Sequence, residues 1–306
     1  MAFDVLAELE AHGSEPYTPE AASAWCRAYT KDRASNFYYA FTILPAHKRN
    51  AIYAAYAFSG YVDDIADELT DRARQEREIA QARRLVEECY AGRRQGPLFT
   101  ALGEAVDRFA IPHEYFEQLI SGVEMDFTID RYATWPDLQQ YCYRVASIVG
   151  HICVAIFGAK PHPRADEFAT SMGLGLQIVN IMRDVREDAS RGRVYFPTDE
   201  LAAHGLTADD ILECRYDARF AAMMAAQGAR ARHYFELGRN LLPLLDVRSR
   251  MCVNVLQGVY FELLKRIEAR DYDVLSDRVR LSGPEKLTAI ARLWAGAAFL
   301  GPARAG

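Results

Sequence analysis

Helical patterns of apolar and polar residues follow one another along nearly the whole chain, and no segment shows the alternation of a convincing strand. Prolines such as Pro45, Pro97 and Pro112 separate these segments, because a helix does not readily continue through proline. The pattern predicts an all-α protein without internal repeats, and we expect residues 1–306 to form a single domain. The predicted helices cover residues 20–31, 48–70, 71–94, 98–109, 114–129, 137–157, 166–188, 208–213, 218–245, 249–269 and 284–300.

Two uncharged runs, residues 145–159 and 168–182, are shorter than the roughly 20 residues that a membrane-spanning helix needs. The first run also contains His151, so we interpret both runs as buried core helices. The apolar tail over residues 293–300 is interpreted in the same way, as part of the last core helix. We therefore expect peripheral membrane contact at most.

Composition and charge narrow the classes of function. Half of the 306 residues are apolar, which is enough for a large core, and the net charge is −6 with scattered basic residues. No nucleic-acid partner is expected from this balance. The six cysteines show neither a Cys-x-x-Cys pair nor a zinc-site spacing, and no signal-peptide pattern is present, so we expect a reduced, cytoplasmic protein.

The segment from residue 177 to residue 197 carries the first candidate chemistry. Asn180, Asp184 and Asp188 are spaced i, i+4 and i+8, which places an amide and two carboxylates about 6 Å apart along one helix face. A solvated acidic face is the simpler interpretation, but residues 168–182 carry no charge, which predicts a largely buried helix. Buried carboxylates are costly unless they are paired or bind a cation, and oxygen ligands at this spacing suit Mg²⁺.

A second acidic pair precedes it in the chain. Asp63 and Asp67 are also spaced i, i+4, and they follow an apolar and aromatic helical run over residues 51–58. Asp64 and Glu68 turn to other faces of the same helix. Two such helices facing each other across an apolar cavity would hold Mg²⁺ ions and a diphosphate between them, with a hydrocarbon chain in the remaining space.

These two motifs resemble the squalene/phytoene synthase family. The specific part of the match is Asp184-Val-Arg-Glu-Asp188 with the tail Arg191-Gly-Arg-Val-Tyr-Phe-Pro197, and further matches such as Tyr141-Cys-Tyr-Arg-Val-Ala-Ser147 extend over most of the chain in the family's order. The resemblance implies the isoprenoid synthase fold, a single helical bundle around a central apolar cavity.

The resemblance also implies an activity, the Mg²⁺-dependent head-to-head condensation of two prenyl diphosphates through a cyclopropylcarbinyl diphosphate. Farnesyl diphosphate and a presqualene diphosphate or squalene-type C30 product are favoured, and NADPH would be used if the product is squalene. Phytoene synthesis from geranylgeranyl diphosphate is the alternative. A head-to-tail polyprenyl synthase and a non-catalytic assembly factor on the same fold are the other classes; the first should show a second Asp-Asp-x-x-Asp, and the second should lack aspartates that are present here.

Residue roles follow from the same resemblance. The implied catalytic residues are Asp63, Asp67, Tyr141, Asp184 and Asp188. The implied metal ligands are Asp63, Asp67, Asn180, Asp184 and Asp188. The implied substrate-binding residues are Phe37 in an apolar tunnel, with Gln177, Asn180, Arg183, Arg193, Tyr195, Tyr260 and Arg278 at the diphosphate.

One position departs from the family pattern. The family usually has an arginine three residues before the first aspartate, whereas this chain has Gly60 there. We expect another cation to compensate, and Arg33, Lys48 and Arg49 are the candidates that lie near in sequence.

Overall fold

The computed structural model describes residues 17–33 and 35–281 together with positions 6, 285 and 288, and for residues 35–37 it describes the backbone alone. Thirteen α-helices, one π-helical turn, one 3₁₀ helix and one isolated parallel bridge, between Arg131 and Val194, make up the regular structure of this part of the chain. The helices are α1 Pro19–Arg33, α2 Ser35–Phe41, α3 Ala46–Glu68, α4 Arg72–Tyr90, α5 Gly96–Phe109, α6 His113–Thr128, α7 Trp135–Cys142, α8 Ile148–Phe157, α9 Ala165–Ser190, α10 Thr198–Ala203, α11 Ala208–Leu212, α12 Ala218–Gly238 and α13 Val247–Glu268.

The all-α prediction is confirmed, and local capping explains where several helices begin. Pro45 precedes α3, where its fixed backbone conformation and missing N–H are tolerated. Asp217 accepts hydrogen bonds from the backbone N–H groups at the start of α12, which satisfies donors that have no partner within the helix. The helix predicted over residues 284–300 and the tail at 293–300 lie outside the described residues.

Two predicted helices are interrupted in the structure. The segment 137–157 contains a π-helical turn, Tyr143–Ser147, between α7 and α8. Here α9 approaches so closely that a Cβ atom on Gly173 would lie 2.4 Å from the Cα atom of Ser147. The segment 218–245 ends as an α-helix at Gly238 and continues as a 3₁₀ helix, Arg239–Leu244, which contains Pro243.

The helical stretch Trp135–Phe157 is, in the described part of the chain, the one that is long and apolar enough by composition to cross a membrane. Its residues pack between neighbouring helices, since Ser147 donates a hydrogen bond of 2.8 Å to the carbonyl oxygen of Thr170 on α9. Ile148 and Ile152 are each only 1% exposed. We therefore interpret this stretch as a core helix, as the sequence predicts.

The two aspartate-bearing helices belong to different sides of the core. The helix α3 packs against α1, α5 and α6, whereas α9 packs against α8, α12 and α13. The loop that follows α9 then crosses towards the C-terminal end of α3. This arrangement leaves a cavity between the acidic faces of the two helices.

Candidate active site

A cavity of about 390 Å³ lies between α3 and α9. It collects every predicted site residue whose side chain the structure describes, from six different parts of the chain. These residues are Asp63, Asp67, Tyr141, Gln177, Asn180, Arg183, Asp184, Asp188, Arg193, Tyr195, Tyr260 and Arg278. The side chain of Phe37 lies outside the described residues.

On the α9 side of the cavity, Asp184 is held by two arginines. It accepts a hydrogen bond of 2.9 Å from Arg183 Nε and another of 2.9 Å from Arg278 Nε. Arg278 also pairs with Glu187 at 3.0 Å. Arg183 contacts Tyr260 as well, whose pKa is raised by burial and lowered in part by the Arg183 charge. The α9 face therefore presents guanidinium groups as well as carboxylates to the cavity.

The loop after α9 links the two acidic motifs. Gly192 has a φ of 77°, a left-handed conformation that favours glycine, and it follows the end of α9. From this loop Arg191 donates a hydrogen bond of 2.9 Å to Asp67 on α3, and Arg193 lies 3.5 Å from the same carboxylate. Arg131 anchors the loop by donating a hydrogen bond of 2.7 Å to the Gly192 carbonyl oxygen.

Two of the aspartates have no ion-pair partner within the part of the chain that the structure describes. Desolvation by the surrounding helices, and then the neighbouring Asp67 and Asp126 carboxylates, raise the pKa of Asp63 to about 8, although its side chain is accessible from the cavity. Burial, and then Asp184, raise the pKa of Asp188 to about 7. Both carboxylates open into the cavity, so a bound cation would relieve their repulsion.

Asp126, on α6, is a site residue that the sequence analysis missed. It accepts hydrogen bonds from the hydroxyl groups of Tyr141 at 3.1 Å and Tyr195 at 2.9 Å, and these two hydroxyls lie 3.2 Å apart. The two rings stack with centroids 5.1 Å apart. Burial raises the pKa of Asp126, while Arg193 and the two tyrosine hydrogen bonds oppose that rise. Glu187, the partner of Arg278, was missed as well.

The apolar part of the cavity wall is small. Ala66, Val145 and Ile181 contribute to it, from α3, the π-helical turn and α9. The π-helical turn begins directly after Tyr141 and Cys142, so it helps to place Tyr141 and Val145 on the same wall. Such turns are frequent at functional sites of α-helices.

The oxygen atoms that face the cavity fit a magnesium ion. Asn180 Oδ1 is buried and has no hydrogen-bond partner, while its Nδ2 donates to Gln177 Oε1 at 3.2 Å. Among the described residues, no three His, Cys, Asp or Glu side chains come together around one point. Mg²⁺ usually takes one or two carboxylates and completes its shell with water and phosphate oxygens, so a pair of aspartates on each helix is compatible with such an ion.

The fold is shared with known enzymes. A dehydrosqualene synthase structure superposes with a TM-score of 0.84 at 24% identity, over 92% of this chain and 98% of that chain. A squalene synthase from Alicyclobacillus acidocaldarius superposes with a TM-score of 0.78 at 28% identity, over 84% of this chain and 97% of that chain. The class defined by the fold and the cavity is therefore that of the isoprenoid synthases, as expected from the sequence.

Sequence comparisons define the family within that class. A profile of the squalene/phytoene synthase family matches residues 30–285. The phytoene synthase of Mycobacterium tuberculosis is 34% identical over 287 residues, which are 93% of this chain and 94% of that protein. The 15-cis-phytoene synthase of Synechocystis sp. is 32% identical over 286 residues, which are 90% of this chain and 85% of that protein. The chain belongs to the squalene/phytoene synthase family of head-to-head prenyltransferases, and the predicted enzyme class is confirmed.

Proposed function

We propose that this enzyme catalyses the Mg²⁺-dependent head-to-head condensation of two identical prenyl diphosphates through a cyclopropylcarbinyl diphosphate. The observation that carries the proposal is the shared cavity: both acidic motifs open into it together with Arg183 and Arg278. The complete set of aspartates argues against a non-catalytic assembly factor. The second motif, Asp184-Val-Arg-Glu-Asp188, argues against a head-to-tail synthase, which would carry a second Asp-Asp-x-x-Asp.

The first task of the site is to bind a diphosphate and to let it leave with the electron pair of the broken C–O bond. Arg183 and Arg278 now share Asp184, and their planar guanidinium groups suit phosphate oxygens. Mg²⁺, held by the residues of the two motifs (Asp63, Asp67, Asn180, Asp184 and Asp188), would neutralise the negative charge of the leaving diphosphate. Arg191 and Arg193 lie over the same end of the cavity, where they can cover the bound diphosphate.

The second task is to stabilise the allylic cation until the double bond of the other substrate attacks it and a proton is lost. The stacked rings of Tyr141 and Tyr195 provide electron-rich faces beside the cavity. Asp126 accepts both hydroxyl protons in hydrogen bonds and so holds the two phenols in fixed orientations. Fixed dipoles of this kind stabilise developing charge without having to reorganise.

The names of the sequence relatives favour a particular substrate. Proteins called phytoene synthase match about nine-tenths of this chain at 32–34% identity, which favours geranylgeranyl diphosphate as the substrate and phytoene as the product. The squalene synthase from A. acidocaldarius, at 28% identity, favours farnesyl diphosphate and a C30 product, the choice made from the sequence. We propose phytoene synthesis without NADPH as the function and C30 synthesis as the second candidate.

Product analysis tests both candidates at once. The purified enzyme is incubated with Mg²⁺ and either geranylgeranyl or farnesyl diphosphate, with and without NADPH, and the hydrocarbons are identified by mass spectrometry. Phytoene from the C20 substrate without NADPH is the expected result. A C30 product alone would establish the second candidate. If neither substrate releases diphosphate in the presence of Mg²⁺, while the protein remains folded, the proposed function is wrong.

A further inference from the structure

Gly60 leaves a gap in the cavity-facing surface of α3. Residues 56, 60, 63 and 67 are spaced i, i+4, i+7 and i+11, so they share one helix face with Asp63 and Asp67 at its acidic end. The gap is filled by Tyr29 of α1. A Cβ atom on Gly60 would lie 2.0 Å from Tyr29 Oη and 2.9 Å from Tyr29 Cζ. Any side chain at this position would displace the tyrosine.

Arg33 follows Tyr29 by one turn of α1, on the same helix face. Its guanidinium group forms an ion pair with Asp64 and lies 3.7 Å from Glu68, and its Cζ atom is 5.9 Å from the centroid of the Tyr29 ring. Asp64 directly follows Asp63 in α3, so this ion pair lies at the level of the first acidic motif. Tyr29 and Arg33 thus form a unit of α1 that lies against the first acidic motif.

The ion pair between Arg33 and Asp64 uses only one of the two carboxylate oxygens. Only Oδ1 of Asp64 is engaged, and Asp64 Oδ2 is buried without a hydrogen-bond partner. The Arg33 side chain is 30% exposed, whereas that of Asp64 is 6% exposed. A guanidinium group has five N–H donors, and a bidentate pair would use two of them on one carboxylate. Asp64, Tyr29 and Glu68 engage part of the Arg33 donors, and the 30% exposure of its side chain leaves room for a second anion.

The other two candidate cations are directed elsewhere. Lys48 Nζ lies 2.7 Å from Asp246 and also donates to the Phe157 carbonyl oxygen, so it connects α3 to the end of α8 and to the residue before α13. Arg49 donates a hydrogen bond of 3.3 Å to the carbonyl oxygen of Thr42. Both lie near the N-terminal end of α3, more than two helical turns before Gly60.

We propose that Arg33 binds the diphosphate group of the substrate held at the first acidic motif, and that Gly60 and Tyr29 shape α1 and α3 for this purpose. The inference rests on the proposed function and deepens it. Arg33 does not line the cavity in this structure, so its long side chain turns from Glu68 towards Asp63 and Asp67 when the anion binds. Tyr29, packed in the gap at Gly60, keeps the base of that side chain in place.

Inorganic diphosphate with Mg²⁺ is a suitable probe, because its binding can be measured by calorimetry without any product. Arg33→Gln should weaken its binding on the order of ten- to a hundredfold, the loss expected for charge-assisted hydrogen bonds. Arg33→Lys should restore part of the affinity, since it keeps the charge but not the planar group. With the prenyl substrate, Arg33→Gln should raise KM far more than it lowers kcat.

Asp64→Asn is the matched control, because it breaks the same ion pair from the other side. If Arg33 binds diphosphate, this variant frees the guanidinium group, and diphosphate binding stays the same or tightens even though the thermal unfolding temperature falls. If Arg33 only stabilises the fold, both variants weaken diphosphate binding equally and in proportion to their loss of stability. That second result would overturn the inference.

Gly60→Arg provides an independent test. The new side chain would collide with Tyr29 and compete with Arg33, so we expect unchanged or lower catalytic efficiency; a large gain would show that the site lacks a cation and that Arg33 does not supply one. The experiments also distinguish a failure of the proposed function from a failure of the inference about Arg33. If the wild-type protein binds diphosphate in an Arg33-dependent way but forms no hydrocarbon, the proposed activity is wrong and the role of Arg33 remains.

Discussion

The helices α3 and α9 carry the same pair of aspartates, four residues apart, and yet the first aspartate of each pair has opposite surroundings. On α9, Asp184 is held between two arginines at hydrogen-bonding distance. On α3, Asp63 has no ion-pair partner in the described part of the chain, and desolvation together with the nearby Asp67 raises its pKa to about 8. The same spacing therefore places Asp184 among cations and leaves Asp63 dependent on an added cation. The second aspartates show the reverse, since Asp67 pairs with Arg191 whereas the pKa of Asp188 is raised to about 7.

The largest expected effect comes from removing one carboxylate charge on each helix. Asp63→Asn and Asp184→Asn should both abolish turnover, because each removes a proposed metal ligand while preserving side-chain shape. Their changes in stability relative to the wild type should have opposite signs. Asp63→Asn removes a repelled charge and should raise the thermal unfolding temperature of the metal-free protein. Asp184→Asn takes a partner from two arginines and should lower the unfolding free energy by about 1–3 kcal/mol.

Product assays and thermal unfolding with EDTA measure these two effects separately. Asp107→Asn is a control for the loss of one negative charge, since Asp107 is 68% exposed and pairs with Arg94 away from the cavity. Wild-type turnover in either cavity variant would refute the metal assignment. Equal stability changes in the two cavity variants would refute the electrostatic contrast between α3 and α9.

Helix positions were largely predictable from the sequence, because prolines and polar caps act locally. The π-helical turn Tyr143–Ser147 was not predictable in this way. It arises where α9 approaches at Gly173, and such a packing contact depends on residues far apart in the chain. The same limit applies to the end of α12 at Gly238, although Pro243 in the segment that follows was a visible signal.

The site shows a similar division. Aspartates spaced i, i+4 can be recognised in the sequence of one helix, and both pairs do line the cavity. Asp126 has no acidic companion at that spacing on α6; its partners Tyr141 and Tyr195 lie 15 and 69 positions away in sequence. A pattern within one helix cannot reveal such a cluster, although the tyrosines themselves were identified through the family resemblance.

The next largest effect is expected for Asp126, which stands between the two motifs. Asp126→Asn should lower kcat on the order of a hundredfold, because an amide no longer accepts two tyrosine hydrogen bonds equally and the phenols lose their orientation. Tyr195→Phe is the matched variant that removes only one of the two bonds, and it should have a smaller effect. Steady-state kinetics would contradict this order if Tyr195→Phe were the more damaged enzyme.

The raised pKa values predict how stability depends on pH. A carboxyl group whose pKa is raised in the folded state favours folding while it is protonated, so its contribution is present below the unfolded pKa near 4 and is lost as pH rises through the folded pKa of about 8. The metal-free wild type should lose stability over this window relative to Asp63→Asn. The difference should be on the order of 1 kcal/mol, since the cavity admits water that screens the charge.

Mg²⁺ with inorganic diphosphate should reverse that trend, because cation binding favours the ionised carboxylates and becomes stronger as pH rises. Unfolding curves at several pH values, with and without the two ligands, measure the loss of stability in the metal-free protein and its reversal by the ligands. The contrast between the motifs would be broken if the difference between wild type and Asp63→Asn were independent of pH.

The smallest effect is expected for the exposed link between the motifs, Arg191. Its pair with Asp67 is 2.9 Å long, but both side chains are about 40% exposed, and exposed pairs contribute roughly 0–1 kcal/mol. Arg191→Gln should therefore barely change the unfolding temperature and should raise KM only a few-fold, with an effect that fades at high salt. Arg193 is the matched comparison, because it is only 14% exposed and lies closer to the buried Asp126. Arg193→Gln should raise KM more, at all salt concentrations. A reversed order would mean that the exposed Arg191 contributes more than Arg193 to covering the bound diphosphate.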